Sequence, residues 1–152
     1  MRQLLLFAHL LGFVLWLGGG LAAMNLGITM RAAPREDLLV MVRVMGRLHR
    51  GLLLPGVLLA VASGLLLTLR LYGSAMSTNG YPVALMVMQG SGLLAAGIVL
   101  GVSLPTVTRL GRLDPSGAQA PLFAALQQRA RIAGALAGIL AMTALVAGAL
   151  MR

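Results

Sequence analysis

Four long apolar stretches constrain this chain more than any other feature of its sequence. They run over Leu4–Met30, Leu52–Leu71, Val83–Leu104 and Ile132–Leu150. Each is close to or above the roughly 20 residues that an α-helix needs to cross the hydrocarbon core of a bilayer. Only 10% of the 152 residues are charged, whereas a soluble domain has about a quarter. The stretches therefore predict an all-α, polytopic membrane protein: one domain, residues 1–152, forming an antiparallel bundle of four transmembrane helices.

The basic residues predict how these helices are oriented. All twelve are Arg, and nine lie in the first and third connections: Arg31, Arg35, Arg43, Arg47, Arg50, Arg109, Arg112, Arg129 and Arg131. Arg2, Arg70 and Arg152 remain for the other side. Because Arg-rich short loops stay in the cytoplasm, both termini and the Arg70–Tyr81 loop are expected outside. Since the charges adjoin apolar spans, the net charge of +9 points to membrane lipids as partners and not to nucleic acid.

The second helix is predicted to be longer than the bilayer is thick. Pro34 and the two acidic residues after Arg35 are typical of a helix start, and the apolar pattern continues to Tyr72. A helix of that length measures about 57 Å at 1.5 Å per residue. Pro55 is expected to kink it, because a proline disrupts the hydrogen bond to the carbonyl four residues earlier, here that of Gly51.

Small residues spaced four apart occur in every span. Such residues let helix backbones approach closely in lipid, so they predict a compact bundle, with a homo-oligomer face on one helix as a further possibility. They are Gly19, Ala23 and Gly27; Gly56, Ala60 and Gly64; Gly97 and Gly101; and Gly134 and Gly138. The amides of Asn25 and Gln89 are expected to form hydrogen bonds between helices.

His9 is the first candidate for chemistry. The chain has no cysteine, and its three acidic residues all lie in the predicted cytoplasmic connections, so neither thiolate nor intramembrane carboxylate sites are available. His9, Phe13 and Trp16 share one face of the first helix by their spacing. A neutral imidazole inside a membrane is a good ligand for haem iron or a soft metal. The alternative is a neutral His that bonds a backbone carbonyl.

For the other residues that could bind a ligand, structural roles are at least as well supported. His49 is expected at the cytoplasmic headgroup level as a non-ligating residue. Arg43, Arg47 and Arg50 share a helix face and suit either anionic lipid or the propionates of a porphyrin. Met86 and Met88, which could suggest a copper site, are more typical of gap-filling side chains.

Three short segments resemble a known family. They are His9 followed by six apolar residues, Trp16 and small residues; Leu48-His49-Arg50 with Pro55 and Gly64-Leu65; and Arg131-Ile132. They are similar to the membrane protoporphyrinogen oxidases that bind haem, and the first also resembles the copper-resistance-D group. The resemblance implies a four-helix bundle with b-type haem on His9 and with Arg50 near the substrate.

This chain departs from that family at the start of the third span. The family carries a Lys there, whereas this sequence has Val83-Ala84-Leu85-Met86 and no Lys at all. Two hypotheses follow. In the first, a haem-binding redox protein uses His9 as the axial metal ligand, Trp16 to pack the pocket and Arg50 to pair with a propionate. In the second, the chain is a non-catalytic accessory subunit of a larger respiratory or photosynthetic membrane complex. Both place it in the bacterial inner membrane.

Overall fold

The fold is known from a computed structural model that describes residues 1–73 and 82–150. Within these ranges the regular structure is entirely helical, which confirms the predicted all-α class. The elements are α1 (Arg2–Thr29), α2 (Arg35–Leu48), a first π-helical turn (His49–Leu53), α3 (Leu54–Tyr72), α4 (Val83–Ile98), a second π-helical turn (Val99–Ser103), α5 (Leu104–Leu110) and α6 (Ala120–Ala149). Tyr81 and Arg152, used in the orientation prediction, lie outside the described residues.

The helices join into four long apolar segments. Each π turn continues directly into the next α-helix, so the segments are Arg2–Thr29, Arg35–Tyr72, Val83–Leu110 and Ala120–Ala149. All four are long and apolar enough to cross a membrane, as the sequence predicted. Large apolar side chains such as Leu4 and Ile139 remain about two-thirds exposed (68% and 65%). These outer faces suit lipid as their surroundings.

The two π turns have a common cause in the sequence. Pro55 and Pro105 each follow a π turn, and a proline has no N–H to give to the carbonyl four residues before it. The residue before each proline also departs from the regular pattern. The N–H of Leu54 donates to the carbonyl of His49, five residues back, and the N–H of Leu104 donates to the carbonyl of Val99. The disruption predicted at Pro55 therefore takes the form of a π turn. Its counterpart before Pro105 was not predicted.

Glycines bring α1 close to the second long segment. A Cβ added at Gly12 would lie 2.5 Å from Ala60 N, and one at Gly56 would lie 2.6 Å from Trp16 N. As the residue number rises along α1, the residue number of its contact partner in the second segment falls, so these helices run in opposite directions. The pairs in order are His9 with Gly64, Gly12 with Ala60, Trp16 with Gly56, Gly19 with Leu53, and Gly27 with Met45. We call this unit the first helix pair.

Alanines bring α4 close to α6 in the second helix pair. The buried residues of α6 include a regular alanine stripe: Ala133, Ala137, Ala141, Ala144 and Ala147. The predicted close packing of the spaced glycines in these spans within the chain is wrong, whereas a homo-oligomer face on one of them stays a prediction. An added Cβ at Gly97, Gly101, Gly134 or Gly138 meets nothing within 4 Å. A regular stripe of methyl groups already permits close approach, so the glycines are left on the outer surface.

Two apolar clusters occupy different levels of the molecule. The larger joins Trp16, Leu53 and Val57 to alanines of α4 and α6. The smaller contains Met30, Val42, Leu110 and Phe123, close to the Arg-rich connections. The nine Arg residues of those connections are all exposed.

Candidate functional site

The His9 cavity lies where both helix pairs meet. It has a volume of about 50 Å³. Its walls come from α1, α3, α4 and α6: His9, Phe13, Trp16, Ala60, Val61, Gly64, Leu65, Met88, Gln89, Gly92, Leu93 and Ala144. The predicted residues His9 and Trp16 thus come together at one cavity, and most of its remaining wall is apolar.

The His9 ring is held in one tautomer. Its Nδ1 lies 2.8 Å from the backbone oxygen of Ala60. A carbonyl oxygen only accepts, so Nδ1 must carry the hydrogen, and in a neutral imidazole Nε2 then keeps its lone pair. Nε2 has no hydrogen bond to any described residue. A bond from one ring nitrogen to a backbone carbonyl is how ligating histidines are oriented. It is also the bond expected of the non-ligating alternative, so it serves both interpretations.

Aromatic rings support the imidazole from its own helix. The His9 and Phe13 rings pack edge to face at 5.3 Å between centroids, and Phe13 lies 5.9 Å from Trp16. Trp16 is only 4% exposed and belongs to the larger apolar cluster. The three residues that share a predicted helix face thus form a continuous row of ring contacts.

The Gln89 amide is a second polar group in the wall of the His9 cavity. The sequence predicted an interhelical hydrogen bond for it but not its partner. Its Nε2 donates to Thr68 Oγ1 at 2.6 Å, and that hydroxyl donates to the Gly64 carbonyl. The predicted interhelical bond of Gln89 is therefore confirmed, since it links α4 to α3. Asn25, by contrast, is exposed on α1.

Gly64 provides the surface against which the His9 ring packs. A Cβ added there would lie 2.9 Å from His9 Cε1 and 3.1 Å from Nδ1. We expect Gly64→Ala to displace the ring and weaken its bond to Ala60, at a cost of about 1 kcal/mol in the free energy of unfolding. Nitrogen NMR of the imidazole would show the loss of the Nδ1 hydrogen bond.

The matched control for this prediction is Gly92→Ala. Gly92 lines the same cavity, but its added Cβ would lie 3.9 Å from the Ala144 methyl, an ordinary contact. We expect its His9 resonances to match those of the parent protein. Unchanged His9 resonances in Gly64→Ala would contradict the prediction.

Arg50 and His49 lie at another level of the molecule. Arg50 is exposed and is not among the described residues that line the cavity. It precedes Ala60 by ten residues, about 15 Å along the helix. His49 is buried within the chain, with Nδ1 at 2.9 Å from the Met45 carbonyl, and its position at the headgroup level stays a prediction. The π turn that begins at His49 packs against α1.

Ser103 is an orphaned polar group in the second π turn. It is 2% exposed, and its Oγ has no hydrogen-bond partner among the described residues. The buried Ser91 donates to the carbonyl four residues back, that of Val87. The equivalent carbonyl for Ser103 is that of Val99, which lies in the π turn and accepts the N–H of Leu104, and the Ser103 hydroxyl makes no bond to it.

We expect Ser103→Ala to raise the free energy of unfolding by about 1 kcal/mol, because it removes a buried group that lacks a partner. Ser91→Ala is expected to lower it by about 1 kcal/mol, because it removes a hydrogen bond that is made. Denaturant titration of both variants in the same detergent would measure the two changes. The same sign for both would show that the Ser103 hydroxyl has a partner.

The His9 imidazole suits haem iron as a ligand, but the His9 cavity is too small for a porphyrin. One neutral imidazole is the ligand that haem iron takes, and Nε2 of His9 is available. The cavity, however, is far below the roughly 300–1,000 Å³ of pockets that enclose small-molecule ligands, so it does not enclose a porphyrin in this conformation. No group of three or more metal-ligating residues occurs among the described residues. Comparisons with protein-family models, curated proteins and solved structures give no match.

Proposed function

We propose that the chain is an integral protein of the bacterial inner membrane, folded as an antiparallel four-helix bundle with both termini on the periplasmic side. Four apolar helices of sufficient length support insertion. The opposed contact order of the first helix pair supports the antiparallel arrangement. The nine exposed Arg residues of two connections support the orientation.

We further propose that His9 binds a b-type haem through Nε2 and that the protein has a redox role. The observation that carries this proposal is the His9 Nε2 at the cavity: the bond from Nδ1 to the Ala60 carbonyl fixes the ring, and Nε2 has no hydrogen-bond partner among the described residues. Bound haem would supply one-electron chemistry. Phe13 and Trp16 would keep water from the imidazole, and Gly64 would hold its orientation.

Room for the haem would come from the interface between the two helix pairs. Contacts within each pair are far more extensive than those between them. Separation at this interface would therefore enlarge the cavity without opening the glycine contacts of the first pair. The pairing of Arg50 with a propionate stays a prediction, since Arg50 lies about 15 Å along the helix from the His9 partner Ala60.

The visible absorption spectrum of the purified protein tests the haem proposal. We expect a Soret band in protein from cells that make haem, or after one equivalent of haem is added to the detergent-solubilised chain. A pyridine haemochrome assay would then identify the b type. Protein that shows no Soret band under either condition would remove the haem proposal and leave the membrane assignment intact.

The second candidate is a non-catalytic accessory subunit of a larger membrane complex. It is favoured by the small volume of the His9 cavity and by the missing Lys in the third span. Exposed apolar helix faces would then pack against neighbouring subunits. Extraction in mild detergent followed by native mass measurement is expected to show the chain within a larger assembly. A stable lone monomer or homodimer would contradict this candidate.

A further inference from the structure

A groove runs between the third and fourth long helices, on a different surface from the His9 cavity. It has a volume of about 410 Å³, within the roughly 300–1,000 Å³ range of small-molecule pockets. Ala133 forms its floor and is 5% exposed. Ile98 and Val102 border it on one side, and Ile132 and Leu136 border it on the other. We call it the α6 groove.

One end of the α6 groove is basic. Arg129 lines it and is exposed, with Gln128 beside it. No acidic residue occurs anywhere in α6, so its own helix does not neutralise this charge. Leu136 lies seven residues further along, about 10 Å from Arg129. The groove thus has a cationic end and an apolar length.

The second π turn shapes the apolar wall. Ile98 directly precedes that turn and Val102 lies within it, and both are partly buried. The turn and α4 both contact α6, and these two side chains line the groove together with Ala133. π turns are frequent at functional sites, and this one contributes Val102 to the groove.

We propose that the α6 groove binds one anionic phospholipid, with the phosphate on Arg129 and an acyl chain along Ile132 and Leu136. The planar guanidinium binds phosphate oxygens in a bidentate manner. Basic pockets between transmembrane helices on the cytoplasmic side suit anionic headgroups, and Arg129 belongs to the connections that we place there. The inference rests on the proposed membrane insertion but not on haem.

Lipid binding to the purified full chain tests this proposal. Native mass spectrometry would measure adducts with phosphatidylglycerol and with phosphatidylcholine of the same acyl chains. We expect tighter binding of phosphatidylglycerol, and a loss of about fivefold in that affinity for Arg129→Gln, from the charge contribution of one Arg near the surface. Ala125→Leu, which narrows the groove beside Arg129, is expected to weaken both lipids.

Arg131→Gln is the matched control, because Arg131 is exposed on the same helix but does not line the groove. Its affinity for phosphatidylglycerol should equal that of the parent. Arg129→Lys keeps the charge and should retain intermediate binding.

Several outcomes would overturn the proposal. They are equal losses for both Gln variants, equal binding of the two lipids, full competition by glycerol 3-phosphate alone, or a second copy of the chain covering the groove in a lipid-free dimer. Extraction of the chain from membranes by alkali would remove this inference together with membrane insertion. A missing Soret band would remove only the haem proposal.

Discussion

Replacement of His9 by Ala is expected to abolish the Soret band of the haem-loaded protein. In our proposal its Nε2 would bind the haem iron, and no other described residue of the cavity offers an imidazole. Without that bond the haem would be held by apolar contacts alone, in a site whose resting cavity is only about 50 Å³. Parallel haem titrations of the parent and His9→Ala proteins, followed at the Soret maximum, would measure the loss of binding.

His49→Ala is the control for that experiment, since it removes the second and last His of the chain. His49 precedes Ala60 by eleven residues, about 16 Å along the helix. Its Nδ1 is bonded to Met45 within its own segment. We expect the Soret band to survive His49→Ala unchanged. A Soret band that persists in His9→Ala and disappears in His49→Ala would move the proposed ligand to the opposite end of the bundle.

The largest expected stability loss comes from methyl groups added to the first helix pair. Gly12→Ala and Gly56→Ala would place a Cβ 2.5 Å and 2.6 Å from backbone nitrogens of the facing helix. A backbone cannot rotate aside as a long side chain can, so the helices must separate along their whole contact. We expect each variant to lose about 3 kcal/mol of unfolding free energy. Denaturant titration in detergent, followed by circular dichroism, would measure this loss.

Gly134→Ala and Gly138→Ala are matched controls for this prediction. They also add one methyl to a glycine in the middle of a long apolar helix, but at positions with open space around the added Cβ. Alanine restricts the unfolded chain more than glycine does, so these variants should gain about 0.5 kcal/mol. A loss comparable to that of Gly12→Ala would show that α6 packs against a second copy or another subunit in the detergent sample.

Local patterns in the sequence predicted the helices well. Length and hydropathy identified four spans, and each lies almost wholly within an observed long helix. The start of the second segment at Arg35 and its end at Tyr72 were read from Pro34, the following acids and the apolar pattern, and the structure confirms both. These signals depend on neighbours along the chain, so no knowledge of the tertiary fold was needed.

The candidate site was predicted only in part. Periodicity placed His9, Phe13 and Trp16 on one face, and they do line one cavity. The opposite wall, with Gln89 and Met88, depends on how the second pair docks, which helical spacing does not encode. Burial of His49 was not predicted either, because it depends on the tertiary packing around the first π turn.

The order of residues alone determined the number, length and approximate ends of the helices, since apolar length and proline chemistry act locally. Only the tertiary structure decided which small residues make contacts. Gly12 and Gly134 both lie in the middle of apolar helices, yet one touches a backbone and the other faces open space. In lipid the apolar character of a face does not by itself drive it inward, so steric fit between whole helices makes that choice. The packing of whole helices likewise determines that the cavity beside His9 is small and that the groove beside Arg129 is large.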